Sequence, residues 1–253
     1  DYDNDGDADL YVARDRTDAL LRNEGNGRFR DVSKAAGISD TYLGMSVSWG
    51  DYDNDGWLDI YVANYAHCIG EQAGTSNVPS RLNYHPDSLY RSNHDGTFSD
   101  VTALLEKDPT TTADGATTGA DFVAAWFDYN GDGRLDIYLA NDFIGRGPDH
   151  NRLWRNDGPA ADGKWTFTAV SKQSGTAYLM NTMGIGVGDF DRDLKLDVAL
   201  SNIEANRLLH NKGASFSDVA GALGVARPAQ RATYKSVTWG VSFHDLNLDG
   251  WED

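Results

Sequence analysis

The sequence predicts an all-β chain, a β-propeller of four-stranded antiparallel blades, on three observations: an acidic nonapeptide that recurs five times, an alternating apolar run after each copy, and a hairpin motif that closes each repeat. The nonapeptide D-x-(D/N)-x-D-G-x-x-D stands at residues 1–9 (DYDNDGDAD), 51–59 (DYDNDGWLD), 128–136 (DYNGDGRLD) and 245–253 (DLNLDGWED). A copy with a defect stands at 189–197 (DFDRDLKLD).

The elements follow in a fixed order. Strand-like stretches precede the loops, as in Met45-Ser46-Val47-Ser48-Trp49-Gly50 and residues 237–243. After each loop an apolar run alternates at period two: Leu10-Tyr11-Val12-Ala13, Ile60-Tyr61-Val62-Ala63, Ile137-Tyr138-Leu139-Ala140 and Val198-Ala199-Leu200. β-Branched and aromatic residues at that period read as a strand. Two further apolar runs, split by an Asn/Asp/Gly turn, then form a hairpin. They run from Leu20-Leu21-Arg22-Asn23 to Val32, from Leu89-Tyr90-Arg91 to Val101, from Leu153-Trp154-Arg155-Asn156 to Phe167 and from Leu208-Leu209-His210-Asn211 to Val219. The expected repeats are 1–50, 51–127, 128–188 and 189–244, with a fifth begun at 245–253. Residues 101–105 and 220–223 leave room for no more than a helical turn between blades.

The acidic balance points at the loops. The chain has 22 Lys and Arg against 39 Asp and Glu, a formal net charge of −17, which argues against a nucleic acid or an anionic membrane as partner. Of the 39 acids, 34 are Asp and five are Glu (Glu24, Glu71, Glu106, Glu204, Glu252). A solvated acidic surface uses both, whereas short carboxylates suit turns and hard cations. Oxygens at positions 1, 3 and 5 of a tight loop converge on one point. Position 7 adds a backbone carbonyl, and Asp at position 9 closes the set. Six or seven oxygens favour Ca²⁺ over Mg²⁺. In the second loop these ligands are Asp51, Asp53, Asp55, the carbonyl of Trp57 and Asp59. Gly at position 6 allows the positive φ of the reversal. The carboxylates lack Lys or Arg placed to offset them, so a bound cation is expected to be structural. An EF-hand does not fit, because position 12 is Val12, Val62, Leu139 or Leu200, inside a strand.

These motifs resemble the FG-GAP/VCBS repeat family, the calcium-loop blades also found in integrin α-chain propellers. Residues 49–64 and 89–101 (LYRSNHDGTFSDV) are similar to bacterial members that carry ASPIC/UnbV domains. The resemblance covers essentially the whole chain. It implies calcium ligands at positions 1, 3, 5, 7 and 9: Asp1, Asp3, Asp5, Asp7 and Asp9 in loop one, and the residues named above in loop two. Loop three supplies Asp128, Asn130, Asp132, Arg134 and Asp136, and loop five Asp245, Asn247, Asp249, Trp251 and Asp253. Loop four (Asp189, Asp191, Asp193, Lys195, Asp197) departs, with Leu194 in place of the turn glycine, and is expected to be the weakest site. Four to five Ca²⁺ ions are expected. The Phe-Gly-Gly-Ala-Pro signature of the family is absent, and Trp49-Gly50 and Trp239-Gly240 stand at the equivalent strand ends.

Other features read blandly. Cys68 is the single cysteine, so it has no partner within the chain for a disulfide or a zinc cluster. The insertion between Ala63 and Leu89 is a binding loop or an elaboration of blade packing. His67, His85, His94, His150, His210 and His244 are assigned to turns and strand surfaces, and Trp49, Trp126, Trp154, Trp165 and Trp239 to packing. Thr110-Thr111-Thr112 and Thr117-Thr118 read as a surface loop. No catalytic constellation stands out, and no apolar run is long enough to span a membrane. The N-terminus carries no signal peptide, but the chain starts and stops inside a motif. An open arc of a parent ring with about seven blades is therefore expected, its free edges inviting self-association. The expected function is an extracellular, cell-surface or periplasmic adhesion module for a protein or glycan ligand. The alternatives are a polysaccharide lyase on a propeller and a subunit of an extracellular fibre.

Overall fold

The structure, a computed structural model, describes residues 1–68, 82–107, 118–142, 150–226 and 237–253. Blade one is a three-stranded antiparallel sheet of β1 (Leu10–Val12), β2 (Ala19–Asn23) and β3 (Phe29–Asp31). Blade two has four strands in sequential order: β4 (Gly44–Gly50), β5 (Asp59–Asn64), β8 (Ser88–Ser92) and β9 (Phe98–Asp100). Between β5 and β8 the chain makes a side hairpin, β6 (Ala66–Cys68) and β7 (Leu82–Pro86), to which β10 (Thr118–Gly119) adds a third strand. Blade three is β11 (Asp121–Phe127), β12 (Asp136–Asn141), β13 (Arg152–Pro159) and β14 (Trp165–Ala169). Blade four is β15 (Ile185–Gly188), β16 (Asp197–Leu200), β17 (Arg207–Asn211) and β18 (Phe216–Asp218). Each blade is thus an antiparallel meander. Single helical turns follow the last strands at Thr102–Leu104, Ser171–Ser174 and Ala220–Leu223.

Each four-stranded sheet starts one strand before its acidic loop. The expected repeats open on the loop, so repeat and four-stranded sheet are offset by one strand. The loop joins first strand to second, as the ladder Gly50↔Asp59 shows on one side of residues 51–58 and Phe127↔Asp136 on one side of 128–135.

Second strands are the most deeply placed elements. Every residue of β5 (DIYVAN) and β12 (DIYLAN) is buried, because these strands have a neighbour in their own sheet on each edge and a blade on each face. Their side chains divide by pleat between successive interfaces. Ile60 and Val62 join Tyr2, Leu20, Tyr90 and Phe98 between blades one and two. Tyr61 and Ala63 join Tyr52, Leu89, Ile137, Leu139 and Trp154 between blades two and three. Tyr138 packs with Phe127, Leu153, Val198, Leu200 and Leu209 between three and four. Three apolar layers thus stack four blades in chain order.

The far ends of the blades are pinned by a repeated polar contact. The Tyr11 hydroxyl donates to Asp18 Oδ2 at 2.9 Å and the Tyr61 hydroxyl to Asp87 Oδ2 at 2.7 Å; Asn151 Nδ2 donates to the Tyr138 hydroxyl at 3.2 Å. The same Asp or Asn accepts a main-chain N–H from the end of its second strand: Arg14, Asn64 or Asn141.

One expectation needs correction. Residues 237–243 do not form the expected strand: Val237 makes a single bridge to Ile203 and the rest lies beside β15 without a ladder. Gly184, Gly186 and Gly188 permit that approach, since a Cβ at any of them would meet main chain or Phe243 at 2.0–3.1 Å. The insertion forms its own small sheet, with residues 69–81 outside the described residues. Thr110–112 and Thr117 also lie outside them.

Candidate metal centre

The five acidic loops share one backbone geometry. The carboxylate at position 1 accepts from the N–H groups of positions 5 and 6: Asp1 from Asp5 and Gly6 at 3.0 Å each, Asp51 from Asp55 and Gly56 at 3.0 and 2.8 Å. Asp128, Asp189 and Asp245 do the same. The carboxylate at position 5 (Asp5, Asp55, Asp132, Asp193, Asp249) accepts from the N–H of position 7. Position 9 closes the loop by accepting from the N–H of position 2, as Asp9, Asp59, Asp136, Asp197 and Asp253 all do. In the four blades Asp9, Asp59, Asp136 and Asp197 accept a second N–H from the third strand, from Asn23, Ser92, Asn156 and Asn211. One carboxylate therefore ties loop, second strand and third strand together.

Position 6 has positive φ in every loop, and in loop four this holds for Leu194 (φ +66°), which is 93% exposed. Position 4 is also left-handed, a feature the sequence pattern did not flag: Asn4, Asn54, Gly131, Arg192 and Leu248. Asn tolerates this region better than other side chains. Two of these asparagines reach the next loop. Asn4 Nδ2 donates to the Gly56 carbonyl at 3.3 Å and Asn54 Nδ2 to the Gly133 carbonyl at 3.1 Å.

Among the described residues, three carboxylates converge within 4.8 Å in loops one (Asp1, Asp3, Asp5), two (Asp51, Asp53, Asp59) and four (Asp189, Asp191, Asp197). In loops three and five, Asn130 and Asn247 replace the acid at position 3. Asn130 Nδ2 donates to Asp132 Oδ2 there, and Asn247 Oδ1 accepts from Asp249 N–H. The position-7 residues Asp7, Trp57, Arg134, Lys195 and Trp251 each anchor the loop through their N–H.

Asp53 supplies the test of fit. Its side chain is 2% exposed, and its Oδ1 meets no hydrogen-bond donor. A buried carboxylate oxygen without a donor is costly, and a cation coordinated there removes the cost. Burial pushes Asp53 above the usual carboxylate range, with Asp55 and Asp51 adding to it against Arg91. Burial likewise raises the closing acids, Asp59 and Asp136 to about 7 and Asp197 to about 6. Asp3 is raised by burial and by Asp5 and Asp9. This all-oxygen donor set, held by main-chain N–H groups, suits a hard divalent cation.

The expectation that these acids lack basic neighbours is overturned. Arg91 NH2 lies 2.7 Å from Asp53 and 3.5 Å from Asp55, and Arg22 lies 4.0 Å from Asp3. Arg134 and Lys195, at position 7, turn back to Asp132 and Asp193 at 2.5 Å. His94 Nε2 sits 2.6 Å from Asp55, with its ring stacked on Trp57, and His210 Nε2 sits 3.0 Å from Asp191. His94 lies exposed in the hairpin turn and His210 on β17, and from those positions both face carboxylates, whereas His150 is buried. Arg22, Arg91, Arg155 and His210 are equivalent, each one residue before the Asn or Ser that caps position 9. Where position 3 is the neutral Asn130, Arg155 turns instead to Asp157 at 2.6 Å. The recurring pairs Arg-Asn, Arg-Ser and His-Asn were the available signal for this position.

Antiparallel blades with an acidic loop between first and second strands define a repeat propeller of the acidic-loop class. The chain belongs to the FG-GAP-like repeat family, whose model matches residues 1–62, 78–139 and 128–200. It is 33% identical over 135 residues to cartilage acidic protein 1 of Homo sapiens and, over the same length, to that of Mus musculus. Those matches cover 51% of this chain, which spans 19% and 20% of the two relatives. Among solved structures it is similar to an Agrocybe aegerita lectin described as recognising non-reducing terminal N-acetylglucosamine (20% identity, TM-score 0.46, 84% of this chain and 48% of that one). It is also similar to a putative exo-β-1,3-galactanase of Bifidobacterium bifidum s17 (14% identity, TM-score 0.42, 93% and 62%).

Proposed function

We propose that the chain is a calcium-stabilised propeller module that presents an adhesion or ligand-interaction surface outside the cytoplasm, with structural rather than catalytic calcium. The observation that carries this reading is Asp53: a carboxylate almost wholly buried, with an oxygen that no donor reaches, inside a loop whose other acids are already held by main-chain N–H groups. A divalent ion on Asp51, Asp53, Asp55, Asp59 and the Trp57 carbonyl satisfies that oxygen and neutralises the cluster. Five such ions offset more than half of the formal net charge of −17. Arg91 and Arg22 then give up their carboxylates and face solvent or ligand.

Loops of this chemistry outside cells work at roughly 0.1–1 mM Ca²⁺, which supports an extracellular or periplasmic setting. Among the described residues no helix is long and apolar enough to cross a membrane. The side sheet of β6, β7 and β10 stands at the blade ends away from the metal loops, which offers one face for a protein or glycan partner.

Thermal melting tests the metal reading. A ligand bound only to the native state at 100 times its Kd adds roughly 2.7 kcal/mol per site. EDTA is expected to lower the melting temperature, and Ca²⁺ to restore it more fully than Mg²⁺. An unchanged melt in EDTA contradicts the reading.

A further inference from the structure

We propose that the fourth loop carries a site for a first-row transition ion such as Zn²⁺, built from Asp191, Asp193 and His210 and distinct in chemistry from the all-oxygen sets of the other loops. One ligand atom from each of the three residues lies within 4.8 Å of the others. His210 Nε2 is 3.0 Å from Asp191 and 3.9 Å from Asp193. That nitrogen is shielded from solvent and lies within ion-pair range of both carboxylates without hydrogen-bond geometry to either, so it is aimed at the point where the two acids converge. The ring is steadied by an edge contact with Phe190, 5.7 Å between centroids at 72°.

The comparison between blades gives this arrangement its meaning. Blades one, two and three carry Arg22, Arg91 and Arg155 at the position of His210. A guanidinium has no lone pair to offer and stays charged, so it can only compete with a metal ion. A neutral imidazole is a ligand, and one that zinc and its neighbours accept while Ca²⁺ and Mg²⁺ prefer oxygen. The exchange of Arg for His thus replaces a competitor with a donor at this one loop.

Two groups limit the site. Lys195 Nζ is 2.5 Å from Asp193 and has to swing out, which its 42% exposed side chain allows. Asp191 also belongs to the oxygen set with Asp189 and Asp197, so the two kinds of ion compete for the loop. The three side chains are 25–32% exposed, which leaves the remaining coordination positions open to water.

Titration calorimetry with Zn²⁺ on the calcium-free full chain tests this. Wild type is expected to bind one Zn²⁺ at least about tenfold more tightly than His210→Gln or His210→Arg, tenfold being the lower end of what even outer-shell changes cost a metal site. His94→Gln, which alters the other carboxylate-facing histidine, is expected to keep the tight site. Circular dichroism melts establish that the variants fold. In wild type the ring nitrogen resonances of His210 are expected to shift on adding Zn²⁺, a readout that needs no variant. Superimposable Zn²⁺ isotherms for wild type and His210→Gln overturn the proposal. So do unmoved His210 resonances, or loss of the tight site in His94→Gln instead. None of these results bears on whether EDTA destabilises the other loops.

Discussion

Asn156, on the third strand of blade three, donates its Nδ2 hydrogen to the carbonyl of Tyr52 in the acidic loop of blade two, at 2.8 Å. Asn211 repeats the contact one blade on, to the carbonyl of Tyr129 at 2.8 Å. Each amide also donates to its own loop, at Leu135 and Leu196. Each main-chain N–H caps the closing acid, Asp136 or Asp197. The acidic loops are therefore part of the interface between blades.

Asn156 is fully buried, so Asn156→Ala leaves one buried and one half-buried carbonyl without their donor. Each loss of this kind costs about 1–3 kcal/mol. The urea midpoint of Asn156→Ala is expected to fall by the equivalent of about 2–4 kcal/mol at an unchanged slope. A shift under about 0.5 kcal/mol would show that the latch carries no stability.

Position 4 makes the second contact between loops. Asn54 holds φ +55° and donates to Gly133. Alanine loses the bond and retains a Cβ in the left-handed region, which costs about 1–2 kcal/mol. Glycine loses only the bond. Thermal denaturation is expected to rank wild type above Asn54→Gly and Asn54→Gly above Asn54→Ala.

Leu194 is held at φ +66° with its side chain in solvent, so Leu194→Gly removes strain without removing packing. The gain expected is on the order of 1 kcal/mol, with tighter calcium at loop four. Gly56→Leu, at φ +86°, is expected to weaken loop two by a similar amount. Calcium titrations of the two variants in which neither moves would contradict the equivalence of the positions.

Asp18 gives a pH dependence remote from the metal ligands. Burial pushes it up to about 6, with Asp40 adding to the shift against the Arg14 N–H and the Tyr11 hydroxyl. The folded state thus holds its proton more tightly than the unfolded chain does. Its contribution is complete below about pH 4 and is lost as pH rises through about 6, amounting to on the order of 2–3 kcal/mol. Asp18→Asn, which keeps the Arg14 bond and reverses the Tyr11 bond as Asn151 does with Tyr138, is expected to flatten this part of the stability profile in denaturant titrations from pH 4 to 7.

The blades and the loop positions were legible because both are written locally: DIYVAN and DIYLAN carry a strand's period, and DxDxDG carries a turn's oxygens. The left-handed position 4 was hidden because Asn looks like an ordinary turn residue. Arg91 and His94 escaped notice because they lie 36 and 39 residues from Asp55 and meet it only when the third strand returns beside the loop. The same separation concealed the Asn156–Tyr52 latch, 104 residues apart. Residues 237–243 show the converse failure: the period of a strand is present, but the stretch makes only a single bridge, Val237 to Ile203.

The most direct test of the central claim is calorimetric titration of the metal-free chain with Ca²⁺. Saturable binding of several ions is expected at roughly 0.1–1 mM or tighter, with Asp53→Asn removing one of them and Mg²⁺ competing poorly. An absence of saturable binding up to about 10 mM, ten times the upper end of that range, would contradict the account.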